Sequence, residues 1–437
     1  MTDPALSKRL LSLDAFRGIT IAGMILVNNP GSWSSVYPPL LHAKWHGCTP
    51  TDLVFPFFLF IVGVAIPLAL SKYRGQPQSA LIRKTLLRAA ILFGLGVFMA
   101  AFPNFGMAQD TPLARKVLHY ILLGIFTLAL FSRAVCLGQK PQRMEWARRF
   151  LYLALASALA MAVTGWGIYD FSHLRIPGVL QRIAIVYAIC ALLFLRAGWR
   201  AQLYLGIGLL FLYWALMALV PVPGGHPPNL EAEINLGAWL DRLILTSNHL
   251  WSQSKTWDPE GLLSTLPAIV TGISGMLTGE WLRTQRSAYH KSTGMLAAGA
   301  LLATLGLAWG LAFPINKQIW TSSYVAYTAG LALLFLGVVY WLIDILNYQR
   351  WARPFVVYGT NALFVFILSG FVAKLMYTIG WDTAAGERQT VKGWVYDTLF
   401  TPFLSPLNAS LAFAITNVLV FLALAWVLYR NRVFIKV

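Results

Sequence analysis

The run DLVFPFFLFIVGVAIPLAL, residues 52–70, carries a single charged side chain, and that one stands at its start. A helix that crosses a bilayer needs about 20 predominantly apolar residues. Runs of similar character recur near 13–30, 50–70, 86–102, 115–132, 150–169, 179–196, 201–220, 261–281, 293–313, 321–346, 354–378 and 408–429. In lipid every backbone polar group must be satisfied internally, so twelve such runs predict an all-α polytopic membrane protein. Charged residues are 11% of the chain, where a soluble domain carries about 25%. The 17 Trp and 17 Tyr suit aromatic belts at the two interfaces.

The net charge of +18 invites a nucleic-acid reading, which the distribution excludes. With the N-terminus placed in the cytoplasm, the inner loops hold 22 Lys and Arg and the longer outer loops hold 10. That bias puts both termini inside and the loop of residues 31–49 outside. Cys48, Cys136 and Cys190 form no framework and no metal motif, so neither a disulfide nor a metal is expected. Asp14 and Arg17 interrupt the first apolar run and no small-residue cleavage site follows it, so it reads as an uncleaved span. No internal repeat or low-complexity segment divides the chain, and residues 1–437 read as one transmembrane domain.

Polar residues gather at the outer ends of these spans. In the first, Asp14 and Arg17 are three apart and share a helix face. Asn28 lies eleven residues beyond Arg17, about three turns or about 16 Å along the same face. The loop that follows carries His42, Trp45 and His46, and the second helix opens with Asp52. A neutral imidazole is the usual general base near neutral pH, so a His, an Asn and an Asp at one membrane surface make a candidate catalytic group. Both acids and amides at helix ends have a plainer use, as dipole partners or caps. RIPGVLQRIA sets Arg175, Gln181 and Arg182 at a helix mouth, and DPEGLLSTLPAI opens another with Asp258 and Glu260. PINKQIWTSSY brings Asn316, Lys317 and Trp320, and VYGTNALFVF buries Asn361. A Trp beside polar groups serves as a sugar-stacking platform or as an interface anchor. Amides, acids, bases and rings on one face suit a polyhydroxyl or amino-sugar ligand.

Seven segments in order, SLDAFRGITIAGMILVNN, HAKWHG, TDLVFPFFLFIVG, RIPGVLQRIA, DPEGLLSTLPAI, PINKQIWTSSY and YGTNALFVF, resemble the heparan-alpha-glucosaminide N-acetyltransferase family and its bacterial relatives. The SLDAFRG pattern also resembles a broader transmembrane acyltransferase superfamily. The resemblance implies a membrane acetyltransferase, with acetyl-CoA as the donor and an amino sugar or glycan on the far side as the acceptor. It places the active-site His at His42 and the helix-end Asn at Asn28. It implies a ten-helix core, helices 13–102 and 175–429, into which a two-helix segment of about 110–170 is inserted. Two added spans preserve the orientation of everything after them. The chain does not carry the large lumenal segment of the lysosomal enzyme, which favours a small bacterial sugar or glycan as the acceptor.

The chemistry stands apart from the resemblance. An amine or hydroxyl must lose a proton as it attacks a thioester. His42 accepts that proton while Asp52 or Asn28 orients the ring or holds the oxyanion, or His42 takes the acetyl group first. Arg17 and the basic inner loops are the candidates for CoA phosphates. The expected setting is the bacterial inner membrane, and a homodimer is kept open. A secondary transporter of amino sugars and a scaffold for polysaccharide assembly are the competing classes. Transporters often show two related halves, and here no such symmetry is found.

Overall fold

The computed structural model describes residues 10–75, 78–139, 141–383 and 386–435. Lys8, Arg9, Lys140 and Lys436, four of the bases used to orient the chain, lie outside the described residues. Each of the twelve expected spans meets a helix. In chain order these are α1 (Leu11–Asn28), α2 (Pro50–Leu70), α3 (Ser79–Ala101), α4 (Leu113–Gly138), α5 (Met144–Thr164), α6 (Val179–Arg196) and α7 (Trp199–Leu219). A short α8 (Leu236–Leu245) is followed by α9 (Thr265–Leu282), α10 (Ala288–Gly310), α11 (Ser322–Tyr340), α12 (Arg353–Thr360) and α13 (Ala362–Thr378). A small hairpin pairs β1 (Gly380–Asp382) with β2 (Arg388–Thr390), with Trp381 opposite Gln389. The helices α14 (Val391–Leu399) and α15 (Pro406–Arg430) complete the chain.

The all-α polytopic architecture is borne out, with local departures from twelve uniform spans. Among the described residues ten helices are long and apolar enough to cross a membrane. Gly, Thr, Pro267 and Glu280 dilute the apolar content of α9, which therefore falls outside those ten. The eleventh expected span breaks at Asn361 into α12 and α13. The third span starts earlier than its apolar run because Arg83, Lys84 and Arg88 fill the first turns of α3, where long cations reach water from a helix end. Burial separates the helices by role: 56% of the apolar window of α1, α2 and α6 is inside the protein, against 22% for α3, α4, α5, α7 and α15. The second group leaves most of its apolar surface outside the protein interior.

The described chain forms two compact units. The first comprises the residues up to Val27, Tyr37–Val97 and Arg175–Gly359. Its core joins Leu13 and Phe16 of α1 to Phe60, Ile61 and Val64 of α2, with Leu282, Met295, Leu336 and Tyr340. The helices α2 and α9 touch backbone to backbone. A Cβ on Gly63 would run into the Gly272 carbonyl, and one on Gly275 into the Phe60 carbonyl. Such close approach is what small residues provide between membrane helices. Arg74 ties three helix ends together. It pairs with Glu280 at 2.8 Å and donates to the carbonyls of Phe194 and Ala197 at 3.1 and 2.7 Å.

The second unit comprises Asn28–Val36, Phe98–Leu174 and Thr360–Val437. It holds the two helices of the expected insertion, α4 and α5, together with α13 to α15. Phe102 meets Phe371 edge-on with ring centroids 4.6 Å apart, and His119 is buried between the Tyr169 hydroxyl at 2.7 Å and the Pro103 carbonyl at 2.8 Å. The Lys374 ammonium donates to the carbonyls of Met99 and Phe102 at the end of α3, where a cation complements the helix dipole.

Candidate active site

The first unit assembles its ionisable residues where α2, α6, α9 and α11 begin. Asp52 is the third residue of α2 and only 1% exposed. One carboxylate oxygen accepts from the Thr49 backbone N–H at 2.9 Å, the Ala43 N–H at 3.1 Å and the Thr49 hydroxyl at 3.0 Å. The bond to Thr49 N–H is the reach-back half of a capping box, so the first turn of α2 fixes the acid. The other oxygen lies 2.6 Å from His42 Nδ1. A carboxylate that already accepts from two backbone N–H groups acts as an acceptor, so in the neutral ring the proton sits on Nδ1 and Nε2 carries the lone pair. The His42 side chain is 44% exposed, which keeps its other edge accessible. The Tyr324 hydroxyl donates to the Asp52 carbonyl and fastens the turn from below.

His46 has a different environment. Its Nδ1 accepts from the Asn316 amide at 3.3 Å, and it finds no carboxylate among the described residues. Asn316 itself is buried and organises a loop, because its side-chain oxygen accepts from the N–H groups of Gln318 and Ile319. The Trp45 indole donates to the Leu230 carbonyl at 2.8 Å and packs edge-on against Trp257, which packs against Trp251 in turn. Trp257 and Trp251 lie in the long segment between α7 and α9 and were not singled out by sequence; no spacing rule connects them to Trp45.

A second group is built around Arg175. Its guanidinium grips Asp258 through both carboxylate oxygens, at 2.8 and 2.6 Å, and reaches Glu260 at 2.6 Å. Burial works to raise the Glu260 carboxyl, but Arg175, Lys317 and Arg182 together hold it below the usual range. Burial pulls the Lys317 ammonium below the usual lysine range, against the attraction of Glu260 and Asp52. Arg182 is 1% exposed. It donates to the Gly261 carbonyl at 3.0 Å and to the Ser264 hydroxyl, and lies over Trp320 at 5.2 Å from the ring centroid. Its Nε and Nη1 find no partner among the described residues. Buried donors of that kind are normally met by water or a ligand oxygen. Trp320 is fully buried between Phe55 and Tyr324, so it braces Arg182 and offers no open face for stacking. Gln181 donates to the Ile176 carbonyl at 2.9 Å and shapes the entry to α6.

Four expected site residues belong to neither group. Asp14 and Arg17 form a pair at 3.0 Å in the first half of α1, and Arg17 also approaches the Gly359 carbonyl at 3.4 Å. Asn361 belongs to the second unit, where its amide donates to the Val433 carbonyl at 3.0 Å and accepts from the Ile435 N–H at 2.8 Å. It fastens the segment that follows α15. Asn28, also in the second unit, is the exposed last residue of α1. No group of three or more His, Cys, Asp or Glu is placed to hold a metal among the described residues.

Asp241, in α8, is a buried acid beside Asp258 and Arg182 that sequence reasoning missed. It is 3% exposed and accepts from the Leu262 N–H at 2.8 Å. Burial pushes its carboxyl up to about 7, Asp258 adds to the shift, and the Leu262 N–H and Arg182 oppose it. An unfolded Asp titrates near 3.9. Between about pH 4 and 7 the folded chain keeps a proton that the unfolded chain has lost, so stability falls as pH rises through that window. Above the folded value the loss is complete, on the order of a few kcal/mol. Asp241→Asn should therefore flatten the pH dependence of thermal unfolding between pH 5 and 8. The same drop in the variant as in the parent would exclude Asp241 as its source.

These features define the class first: a polytopic α-helical membrane protein with an imidazole held by a buried carboxylate at the mouth of its helices. Comparison then shows what the chain is similar to. Residues 9–138 match the family model described as heparan-alpha-glucosaminide N-acetyltransferase, catalytic, a stretch that includes His42 and Asp52. The heparan-alpha-glucosaminide N-acetyltransferase of Homo sapiens is 26% identical over 375 residues, covering 74% of this chain and 47% of its own. That of Mus musculus is 25% identical over 376 residues, covering 73% and 47%. The similarity to this family read from the seven motifs is borne out. The chain spans about half the length of these curated relatives.

Proposed function

We propose that this chain is a transmembrane acetyltransferase that moves an acetyl group from cytoplasmic acetyl-CoA to an amino sugar or glycan at the periplasmic face of a bacterial inner membrane. The observation that carries the reading is the 2.6 Å contact between His42 Nδ1 and Asp52. It gives Nε2 a lone pair in a position open to substrate. As the acceptor amine attacks the thioester carbonyl, Nε2 takes the amine proton and the CoA thiolate leaves. A ring held in the same tautomer also serves as an acetyl carrier, in which case Nε2 attacks the thioester and then hands the acetyl group to the amine. Both routes need an Nδ1–H held by Asp52.

Lys317, Glu260 and the unpartnered edge of Arg182 supply donors and charge beside this pair, as a polyhydroxyl amine requires. On the donor side, the pairing of Arg17 with Asp14 commits it to α1, and the CoA phosphates are assigned to the basic inner segments. Both termini are placed in the cytoplasm, supported by the 22-to-10 bias of Lys and Arg between the loops.

Right-side-out vesicles test the whole reading. With labelled acetyl-CoA trapped inside and glucosamine outside, labelled N-acetylglucosamine should form outside. Product only when donor and acceptor share one side would sink the transmembrane route. Glucosamine uptake with no acetylation in any arrangement would make the chain a transporter.

A further inference from the structure

The second unit contains a cleft of about 710 Å³ that the proposed reaction does not use. Its walls come from the loop after α3, from α4, and from the end of α13 with the hairpin behind it. The charged side chains on its lining are Lys116 and Arg388, and no carboxylate lines it among the described residues. Lys116 spends one bond on the Gln109 carbonyl, and Arg388 one on the Thr378 carbonyl at 3.1 Å. Neither cation forms an ion pair among the described residues, although Asp382 stands opposite Arg388 in the hairpin. Asn104, Gln109, Tyr120, Thr127 and Thr378 add neutral hydrogen-bonding groups.

The same cleft is apolar along its membrane side. Leu123 and Gly124 of α4 and Leu375 and Ile379 beyond the middle of α13 line it. A side chain built at Gly124 would meet nothing within 4 Å, so space is open there. Lys116 sits in the first turn of α4, a helix apolar enough to span the bilayer, so the cations lie at a membrane boundary and the apolar wall runs into it. Guanidinium and ammonium groups without a carboxylate partner select phosphate oxygens, and basic pockets between membrane helices recognise phospholipid headgroups.

We propose that this cleft binds a phosphate-bearing ligand, with the phosphate held by Lys116 and Arg388 and the rest of the molecule laid along Leu123, Gly124 and Leu375. Two sources share that chemistry: a lipid headgroup and a soluble phosphate ester. The proposal does not depend on the acetyl-transfer reading.

Binding of three matched probes to the full chain in neutral detergent, followed by calorimetry, tests it. Dihexanoylphosphatidic acid carries phosphate and chains, glycerol 3-phosphate carries phosphate alone, and dihexanoylglycerol carries chains alone. The phosphatidic acid should bind, and Lys116→Gln with Arg388→Gln should weaken it about ten-fold or more. Gly124→Leu, which fills open space without displacing the protein, should weaken it independently. Glycerol 3-phosphate binding as tightly as the phosphatidic acid would assign the site to a soluble ester, and much weaker binding would assign it to a lipid. Dihexanoylglycerol binding as well as the phosphatidic acid, or phosphate binding indifferent to both sets of variants, would overturn the proposal.

Discussion

His42→Ala is expected to lower acetyl transfer about 10²–10⁴-fold, the range for loss of a positioned general base. The side chain is half exposed on a loop, so truncation removes chemistry and little packing. Asp52→Asn should cost a comparable factor by a different route. An amide turned to donate to Nδ1 places the ring proton on Nε2, the wrong nitrogen for accepting one. His46→Ala should cost far less, because its ring is held by the Asn316 amide at 3.3 Å with no carboxylate behind it. The comparison is made with labelled acetyl-CoA on variants matched for thermal stability. Full activity in His42→Ala, or equal losses for His42 and His46, would remove the assignment.

Arg175→Met is expected to give the largest loss of stability, about 3–5 kcal/mol, because it strands Asp258 and Glu260 in a buried site without their partner. Arg175 itself is 28% exposed, so water entering the gap places the result toward the lower end of that range. Arg175→Lys should recover only part, since an ammonium cannot grip both oxygens of Asp258 as the guanidinium fork does. Adding Asp258→Asn and Glu260→Gln to Arg175→Met should restore part of the loss, because the stranded carboxylates are gone while Lys317 and Arg182 lose the charge that faced them. Thermal unfolding of the four proteins in one detergent decides the matter. An Arg175→Met variant as stable as the parent would mean that the three groups do not act as a unit.

The helices were legible because apolar runs of bilayer length have one economical solution in lipid. The pairing of His42 with Asp52 was partly legible, since ten residues of loop can bring a side chain back to the first turn of the next helix. The grip of Arg175 on Asp258 was not, because 83 residues separate them and only tertiary packing joins α6 to α9. Trp320 read equally well as a stacking platform or an anchor; burial settled it, and burial is not written in a tripeptide. Asn361 looked like a ligand group because it interrupts an apolar run. It interrupts the run in order to bond the backbone at 433 and 435, a contact set by a segment 72 residues away. Asp241 escaped notice because a polar segment between helices gives no sign of which of its acids folds inward.

The carboxylate of Asp52 serves two masters. It closes the first turn of α2 through Thr49 and it aims the imidazole of His42. A substitution at residue 52 therefore disturbs two things at once. A longer acid that still caps the helix displaces the ring, and a neutral residue that spares the helix reverses the tautomer. The Ala43 N–H that also holds this carboxylate is a backbone group, so any residue but proline at position 43 keeps that contact.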